Sequence, residues 1–302
     1  MSHFARFTPV SLSKVSEGVE GSRIEGVEGS LFDRKALAEA AGMVDAAIHM
    51  VGIIRERPFS GQTFHRVHDE GTLAVVEALA SGGVSRYAHM SALGSREGAE
   101  SQYHRTKYAA ECHVRDSGLA WTIFRPSVIH GHEGEFMELM RTFMVGMMPP
   151  VIPYFGNGEN KVQPVSVKDV AFCMVECLRR EATIGKTFEM GGTRAYSWKE
   201  MYEVCRRLIP GAKAWKPKVS LPVAGAKIFA NTVMKTPQAN TEEPVYGFLP
   251  HDVLFVSRGV SSGADGVGRI LTRVLVVTFT GACCKVSGGF GWVWSKDDPR
   301  ML

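Results

Sequence analysis

Tyr103 and Lys107 are the residues of this chain whose types and spacing most clearly predict chemistry. They form the pattern Tyr103-x-x-x-Lys107, and on a helix a spacing of four puts both side chains on one face. An ammonium group beside a phenol favours the phenolate, so it lowers the pKa of tyrosine from its ordinary value of about 10. A tyrosine of that kind can exchange a proton with an alcohol or a carbonyl near neutral pH, as hydride transfer requires.

The segments around this pair predict how it is positioned. A short strand over 86–91 ends in Ser91, a helix runs over 103–117, and a buried strand over 119–124 leads into Arg125-Pro126-Ser127. Because parallel strands end at one edge of their sheet, we expect Ser91 and Tyr103 at a common ligand crevice.

The segments before this pair alternate in the same way. A helix capped by Asp33 runs to Ala41, a buried strand covers 45–51, and a long helix covers 62–81. Strands that alternate with helices predict a parallel sheet covered on both faces, which is a doubly wound α/β fold.

Six motifs in this order resemble the extended and atypical short-chain dehydrogenase/reductases, especially the branch of NAD(P)-binding epimerase-like proteins and the nucleotide-binding accessory subunit of respiratory complex I. The motifs are His49-Met50-Val51-Gly52, His89-Met90-Ser91-Ala92, Tyr103-x-x-x-Lys107, Arg125-Pro126-Ser127, Gly156-Asn157-Gly158 and the run over 163–171. The resemblance covers about residues 22–235.

The resemblance implies a Rossmann-like fold and a site with NAD or NADP as cofactor. Tyr103 would be the general acid/base, Lys107 would lower its pKa and bind the nicotinamide ribose, and Ser91 would hydrogen-bond the reacting oxygen. The implied cofactor-binding positions are Ser30, Val51, Gly52, Lys107, Arg125, Pro126 and Ser127. The family acts on nucleotide sugars, sterols and flavonoids and has quinone-linked roles, so the resemblance does not specify a substrate.

The first 21 residues do not show the strand, glycine-rich turn and helix with which a dinucleotide fold opens. The resemblance implies that residues 23–30 are the third strand, and Ser30 stands where the family often has an aspartate that contacts adenine. We therefore expect a sheet that lacks its first strand, with a gap and exposed apolar groups at that place. We also expect weak binding of NAD(H) or NADP(H), or none.

These observations divide the chain into four segments. A divergent N-terminus (1–21) precedes an incomplete dinucleotide-binding domain (22–127) and a substrate-side region with elements that return to the sheet (128–235). The remainder (236–302) has eight glycines between Gly259 and Gly291 and an adjacent Cys283-Cys284 pair. We interpret it as an extension foreign to the fold, without chemistry, and the glycine cluster over 263–268 as a linker.

Composition excludes several classes of function. The net charge of +4 with interspersed signs argues against nucleic-acid binding, and no apolar run approaches the roughly 20 residues of a membrane span. Six cysteines without a secreted framework indicate a reducing compartment, and we predict no metal site. We expect a cytoplasmic protein; a peripheral membrane location and a mitochondrial one stay open.

Two functions remain open. The intact Ser-Tyr-Lys set favours an NAD(P)-dependent oxidoreductase or epimerase, whereas the absent glycine turn and Ser30 favour a non-catalytic nucleotide-binding or assembly protein. The methionine-rich segment 136–148 has apolar residues at helical spacing. It is interpreted either as a buried helix or as a contact surface for a lipid, a quinone or a partner protein.

Overall fold

The computed structural model describes residues 22–54, 56, 58–131, 134–147, 150–222, 252–259 and 273–279. The described strands are β1 (Ser22–Glu28), β2 (Ala46–His49), β3 (Arg86–Met90), β4 (Ala120–Pro126), β5 (Ile129–His130), β6 (Ile152–Phe155), β7 (Lys161–Val162), β8 (Val165–Ser166), β9 (Lys186–Met190), β10 (Tyr196–Ser197), β11 (Lys218–Leu221), β12 (Asp252–Gly259) and β13 (Arg273–Phe279). The described α-helices are α1 (Arg34–Ala41), α2 (Gly71–Ser81), α3 (Gln102–Asp116), α4 (Glu135–Val145), α5 (Val167–Cys177) and α6 (Trp198–Leu208). A π-helical segment, His65–Glu70, leads directly into α2.

A seven-stranded sheet forms the centre of the fold, in the order β1-β12-β13-β2-β3-β4-β9. Neighbouring strands from β13 to β9 are parallel, whereas β12 runs antiparallel to both β1 and β13. The prediction of a doubly wound, Rossmann-like sheet is therefore confirmed, with one reversed strand near its edge.

The expected gap beside β2 is not present, and this prediction was wrong. Strand β13 pairs in parallel with β2 from Val274 opposite Ala46 to Val277 opposite His49. Leu275 and Val277 are fully buried in the core beneath the sheet. Segment 236–302 was expected to be foreign to the fold, but two stretches of it, β12 and β13, lie in the sheet. Their runs of β-branched and apolar residues form strands that pair with the otherwise open strand edge.

The sheet has a core on each face. One core packs α1, α2 and α3 against Ala47, Tyr87, Ile123 and the buried side chains of β13. The other packs α5 against Ala46, Ile48, Ala88 and Phe124, the residues that alternate with the first set along the same strands. Most buried strand residues of both faces are apolar, as expected when helices cover a parallel sheet on both sides.

The helix ends follow the local signals in the sequence. The Asp33 side chain accepts a hydrogen bond from the Ala36 amide, and Ser197 and Glu200 form the predicted capping box of α6. The sequence predicts a helix from Asp169 through Glu181, but α5 ends at Cys177. The Cys177 carbonyl instead accepts a hydrogen bond from Arg86, at 2.8 Å, which satisfies the end of the helix through a strand on the sheet.

A third core lies between α4, α6 and β6. Met140, Phe143 and Met144 are buried in it against Met201 and Tyr202 of α6. The methionine-rich segment is therefore mainly a packed helix, and a contact of 136–148 with a lipid, a quinone or a partner protein stays a prediction. Among the described residues, none of the helices combines the length and the apolar character that a membrane crossing needs.

Candidate functional site

Lys107 lies at the carboxyl edge of the sheet, between the ends of β2 and β3. Its side chain extends from α3, and Nζ donates to the carbonyls of Val51 at 3.0 Å and Met90 at 3.1 Å. Burial lowers the pKa of Lys107 to about 8, and the nearby Glu111 carboxylate opposes this effect. The ammonium group therefore holds together the two strand ends where this fold binds ligands.

Gly52 makes room for that ammonium group. A Cβ at this position would lie 2.9 Å from Lys107 Nζ and 3.3 Å from Cε, closer than such atoms approach without movement. The predicted positions Val51, Gly52 and Lys107 are thus brought together by the structure. An ammonium has three donors, and two are used by the described carbonyls.

Tyr103 lies in the first turn of the same helix and packs against aromatic side chains. Its ring makes edge contacts with Phe64 and His68, with centroids 5.7 and 5.2 Å apart. Burial raises the pKa of Tyr103. This is the opposite of the direction expected from a neighbouring ammonium group.

Ser91 is bound by a carboxylate that the sequence reading missed. Its hydroxyl donates to Glu111 Oε1 at 2.5 Å and lies 3.3 Å from the Ser95 hydroxyl. In the part of the chain that the structure describes, the Ser91 hydroxyl makes no hydrogen bond to Tyr103. Since its proton is directed at Glu111, the Ser91 hydroxyl can only accept a hydrogen bond from another group in this arrangement.

Glu111 is fully buried and joins α3 to two strands. Arg125 of β4 forms a two-point pair with it, with Nε to Oε1 at 2.8 Å and Nη2 to Oε2 at 2.7 Å, and Arg115 donates to Oε2 at 2.5 Å. Burial alone would raise the pKa of Glu111. Hydrogen bonds from Arg125, Ser91 and Arg115 outweigh it, so this pKa lies below its ordinary value.

The remaining predicted cofactor positions have local structural contacts. The Ser30 hydroxyl accepts a hydrogen bond from the Phe32 amide, the Pro126 carbonyl accepts one from Leu93, and the Ser127 amide donates to the Met190 carbonyl. They lie at the ends of β1 and β4. Whether they contact a cofactor stays a prediction.

Below Lys107, a buried tyrosine links two buried imidazoles. The Tyr87 hydroxyl lies 2.8 Å from His49 Nδ1 and 3.1 Å from His89 Nδ1. A hydroxyl has one proton, so it donates to one ring and accepts from the other. The two neutral imidazoles therefore have opposite tautomers.

This cluster predicts an acid-sensitive fold. Burial, assisted by the charge of Lys107, lowers the pKa of His49 to about 3, and burial holds the pKa of His89 well below its ordinary value. The unfolded chain therefore binds more protons than the folded chain below about pH 6.5, and stability is lost as the pH falls from there towards 3. Each imidazole contributes up to about 1.4 kcal/mol per pH unit.

Urea unfolding at a series of pH values measures this slope. His49→Phe should flatten it, whereas His65→Phe, which changes a mostly exposed ring, should not. Equal slopes in the native protein and both variants would contradict the assignment.

Glu111 had one usable signal in the sequence. It follows Lys107 by four residues, so the helical spacing that joins Tyr103 to Lys107 also places Glu111 on that face. Its partners Ser91 and Arg125 are far away in sequence, so no local pattern indicates the contact.

The described residues do not contain a group of three or more side chains suited to hold a metal ion. Their four cysteines are free thiols. The glycine cluster over 263–268, the Cys283-Cys284 pair and the residues His132 and Glu133 lie outside the described residues.

The chain is similar to subunits of respiratory complex I and to a reductase. It is 31% identical over 200 residues to the mitochondrial NADH dehydrogenase [ubiquinone] 1 alpha subcomplex subunit 9 of Arabidopsis thaliana, which covers 66% of this chain and 48% of that protein. It is 27% identical over 202 residues to the mitochondrial NADH-ubiquinone oxidoreductase 40 kDa subunit of Neurospora crassa, covering 66% and 52%. The ceramide reductase of Caulobacter vibrioides is 31% identical over 184 residues, covering 59% and 54%. The chain thus spans about half the length of the curated relatives it matches.

Solved structures agree with the fold. The dTDP-glucose 4,6-dehydratase DesIV of Streptomyces venezuelae, in a double mutant solved with NAD bound, has a TM-score of 0.52 at 22% identity and covers 70% of this chain and 74% of its own. The enzyme WbmG of Bordetella bronchiseptica, solved with NAD and UDP, has a TM-score of 0.54 at 15% identity, with coverages of 65% and 66%. At these identities the likeness shows the fold alone.

The NAD(P)H-binding family matches residues 8–181, which is more than half of the chain. The match begins before Ser22, where the resemblance was expected to begin. Together with the Rossmann-like sheet and the complex I relatives, it confirms the family that the six motifs indicated. The chain belongs to the NAD(P)H-binding family of extended short-chain dehydrogenase/reductase-like proteins.

Proposed function

We propose that this chain binds NAD(H) or NADP(H) at the carboxyl edge of its sheet and that the nucleotide has a structural, non-catalytic role. The observation that carries nucleotide binding is the position of Lys107. Its ammonium group lies at the ends of β2 and β3, beside a glycine that leaves space for it. Two of its three donors are used there, so the third is suited to a ribose hydroxyl. Only in the catalytic alternative given below would the bound nucleotide supply a hydride donor or acceptor.

The non-catalytic role is supported by the other two members of the predicted site. The Ser91 proton is directed at Glu111, and burial raises the pKa of Tyr103. A general acid/base is most effective when its pKa lies near the working pH, and this tyrosine is shifted away from it. A role as a subunit of a larger complex, which the names of the complex I relatives give for those proteins, needs neither group to be active.

A catalytic role is the second candidate. Tyr103 and Lys107 do share α3 as the motif predicts, and the similar protein in Caulobacter vibrioides is named a ceramide reductase. We therefore keep an NAD(P)-dependent oxidoreductase or epimerase as the alternative.

Calorimetric titration of the full chain with NADH and NADPH tests the binding. Replacing Lys107 by methionine removes one charged hydrogen bond to the ribose, worth about 1.5–3 kcal/mol, so binding should weaken about ten- to hundredfold. Lys35→Met is the control, since Lys35 is an exposed lysine on α1. The same affinity in both variants would overturn the proposed role of Lys107, and absence of binding by the native chain would overturn the function itself.

Oxidation of NADH, measured with a panel of carbonyl compounds, distinguishes the structural role from the catalytic one. A structural role predicts that NADH stays unoxidised and that Tyr103→Phe binds NADH as the native chain does. Oxidation of NADH that is abolished in Tyr103→Phe would establish the catalytic alternative instead.

Location and partners belong to the same proposal. The complex I relatives are named as mitochondrial proteins, which supports a mitochondrial or complex I-like setting with protein partners. A cytoplasmic location is the alternative. Expressing the tagged full chain in its host and fractionating the cells distinguishes the two locations. The substrate, if there is one, follows from the carbonyl panel.

A further inference from the structure

Exposed apolar side chains collect where the C-terminal ends of α4 and α6 meet. The Lys213 amide donates to the carbonyl of Met144 at 2.9 Å, which joins the segment after α6 to the end of α4. Met147, Leu208 and Trp215 are 68%, 71% and 61% exposed there, although each is a large apolar residue. We name this surface, formed by Met147 and residues 206–218, the basic tip.

The basic tip has charge of one sign. Residues 206–218 contain five lysines and arginines and no acidic residue. Three of the five lysines and arginines are engaged by neighbours: Arg206 donates to two backbone carbonyls, Lys216 donates to the Phe143 carbonyl at 2.8 Å, and Lys218 pairs with Glu203. Arg207 is exposed, and Lys213 Nζ lies 2.6 Å from Met147 Sδ, which places a cation directly beside an exposed apolar side chain.

Arginines in the last turn of α6 stabilise the helix dipole, and this accounts for Arg206 and Arg207 alone. It does not account for the exposed indole. Arg206 donates to the carbonyls of Ala214 at 3.0 Å and Lys216 at 3.2 Å, on either side of Trp215. The backbone is therefore held while the tryptophan side chain is presented outwards.

An exposed indole on a held backbone, two further apolar side chains and neighbouring cations match one chemistry in particular. Tryptophan favours the boundary between water and hydrocarbon, and lysine and arginine are attracted to anionic headgroups. We propose that the basic tip binds the surface of a bilayer that contains anionic lipids, with Trp215, Leu208 and Met147 inserted at headgroup depth and Arg207 and Lys213 among the headgroups. This function is independent of nucleotide binding at the sheet edge.

Co-sedimentation of the full chain with vesicles tests the proposal. Vesicles of phosphatidylcholine alone are compared with vesicles in which about one third of the lipid is phosphatidylserine. The native chain should partition at least about tenfold more strongly to the anionic vesicles, and added salt should weaken this binding.

Variants locate the binding surface. Trp215→Ser and the double change Arg207→Glu with Lys213→Glu should each reduce partitioning about tenfold or more. The matched controls are Phe59→Ser, which removes a fully exposed aromatic ring elsewhere, and Arg34→Glu with Lys35→Glu, which reverses two exposed charges on α1. The controls should bind as the native chain does, and melting curves check that all variants are folded.

Three outcomes would overturn the proposal. The first is equal binding to both kinds of vesicle, and the second is equal loss in the controls and in the tip variants. The third is self-association that Trp215→Ser abolishes while vesicle binding is absent, because the basic tip would then be covered by a second copy of this chain.

Discussion

Replacing Glu111 by alanine is expected to lower the free energy of unfolding by about 3–5 kcal/mol, the range for breaking one side of a buried ion pair. The change would leave Arg125 without its two-point partner and Arg115 and Ser91 without an acceptor. Unpaired buried groups keep the full desolvation cost that the carboxylate now offsets. Urea unfolding of the purified chain measures the loss.

Two controls separate the buried pair from a general effect of losing a glutamate. Glu77→Ala removes a half-exposed carboxylate that lies 3.6 Å from Arg34, and it should change stability by less than about 1 kcal/mol. Glu111→Gln keeps the shape but removes the charge, so it should fall between the two. Similar losses in Glu111→Ala and Glu77→Ala would contradict the role of Glu111.

The loss of stability at acid pH gives a second measurement of the contribution of Glu111. Because the folded pKa of Glu111 is lowered, its contribution is present above the ordinary carboxyl pKa of about 4.5 and is lost as the pH falls through the folded value. Glu111→Gln should abolish only this part of the acid dependence. The buried imidazoles act at higher pH, from about 6.5 downwards.

Replacing Leu275 by alanine is expected to cost about 2–5 kcal/mol, as for other fully buried leucines. This residue lies in β13 and reaches the core that α1, α2 and α3 cover. Val276→Ala is the matched control, since its side chain points to the opposite face and is only partly buried. It should cost clearly less.

The same pair of variants tests the place of β13 in the sheet. Alternating large and small losses along the strand are the signature of a residue period of two. Equal, negligible losses at Leu275 and Val276 would show that this strand does not pair with β2.

Sequence patterns predicted the parts of the fold that depend on neighbouring residues. The Asp33 cap, the Ser197-x-x-Glu200 box, the strand over 186–190 and the helix that carries Tyr103 and Lys107 follow from local spacing. The family motifs then placed these elements in a Rossmann-like order.

Contacts between distant segments were not predicted. The hydrogen bond from Ser91 to Glu111 depends on how α3 lies over β3. The Lys107 ammonium group donates to two backbone carbonyls, and no side-chain pattern in the sequence reveals these acceptors. Strand β13 was missed for a related reason. Its apolar run does not indicate by any local pattern that it pairs with β2, which lies more than 200 residues earlier.

Because the neighbour of β2 follows it by more than 200 residues along the chain, the order of synthesis affects how this protein folds. Strands β2, β3, β4 and β9 and their helices leave the ribosome long before Arg273–Phe279. Until then β2 has an unpaired edge in the middle of the future sheet, which can pair with other chains. A pairing between segments so far apart also raises the contact order and slows the final step of folding. We expect chaperone dependence to be concentrated in this interval, after β9 has emerged and before β13 is complete.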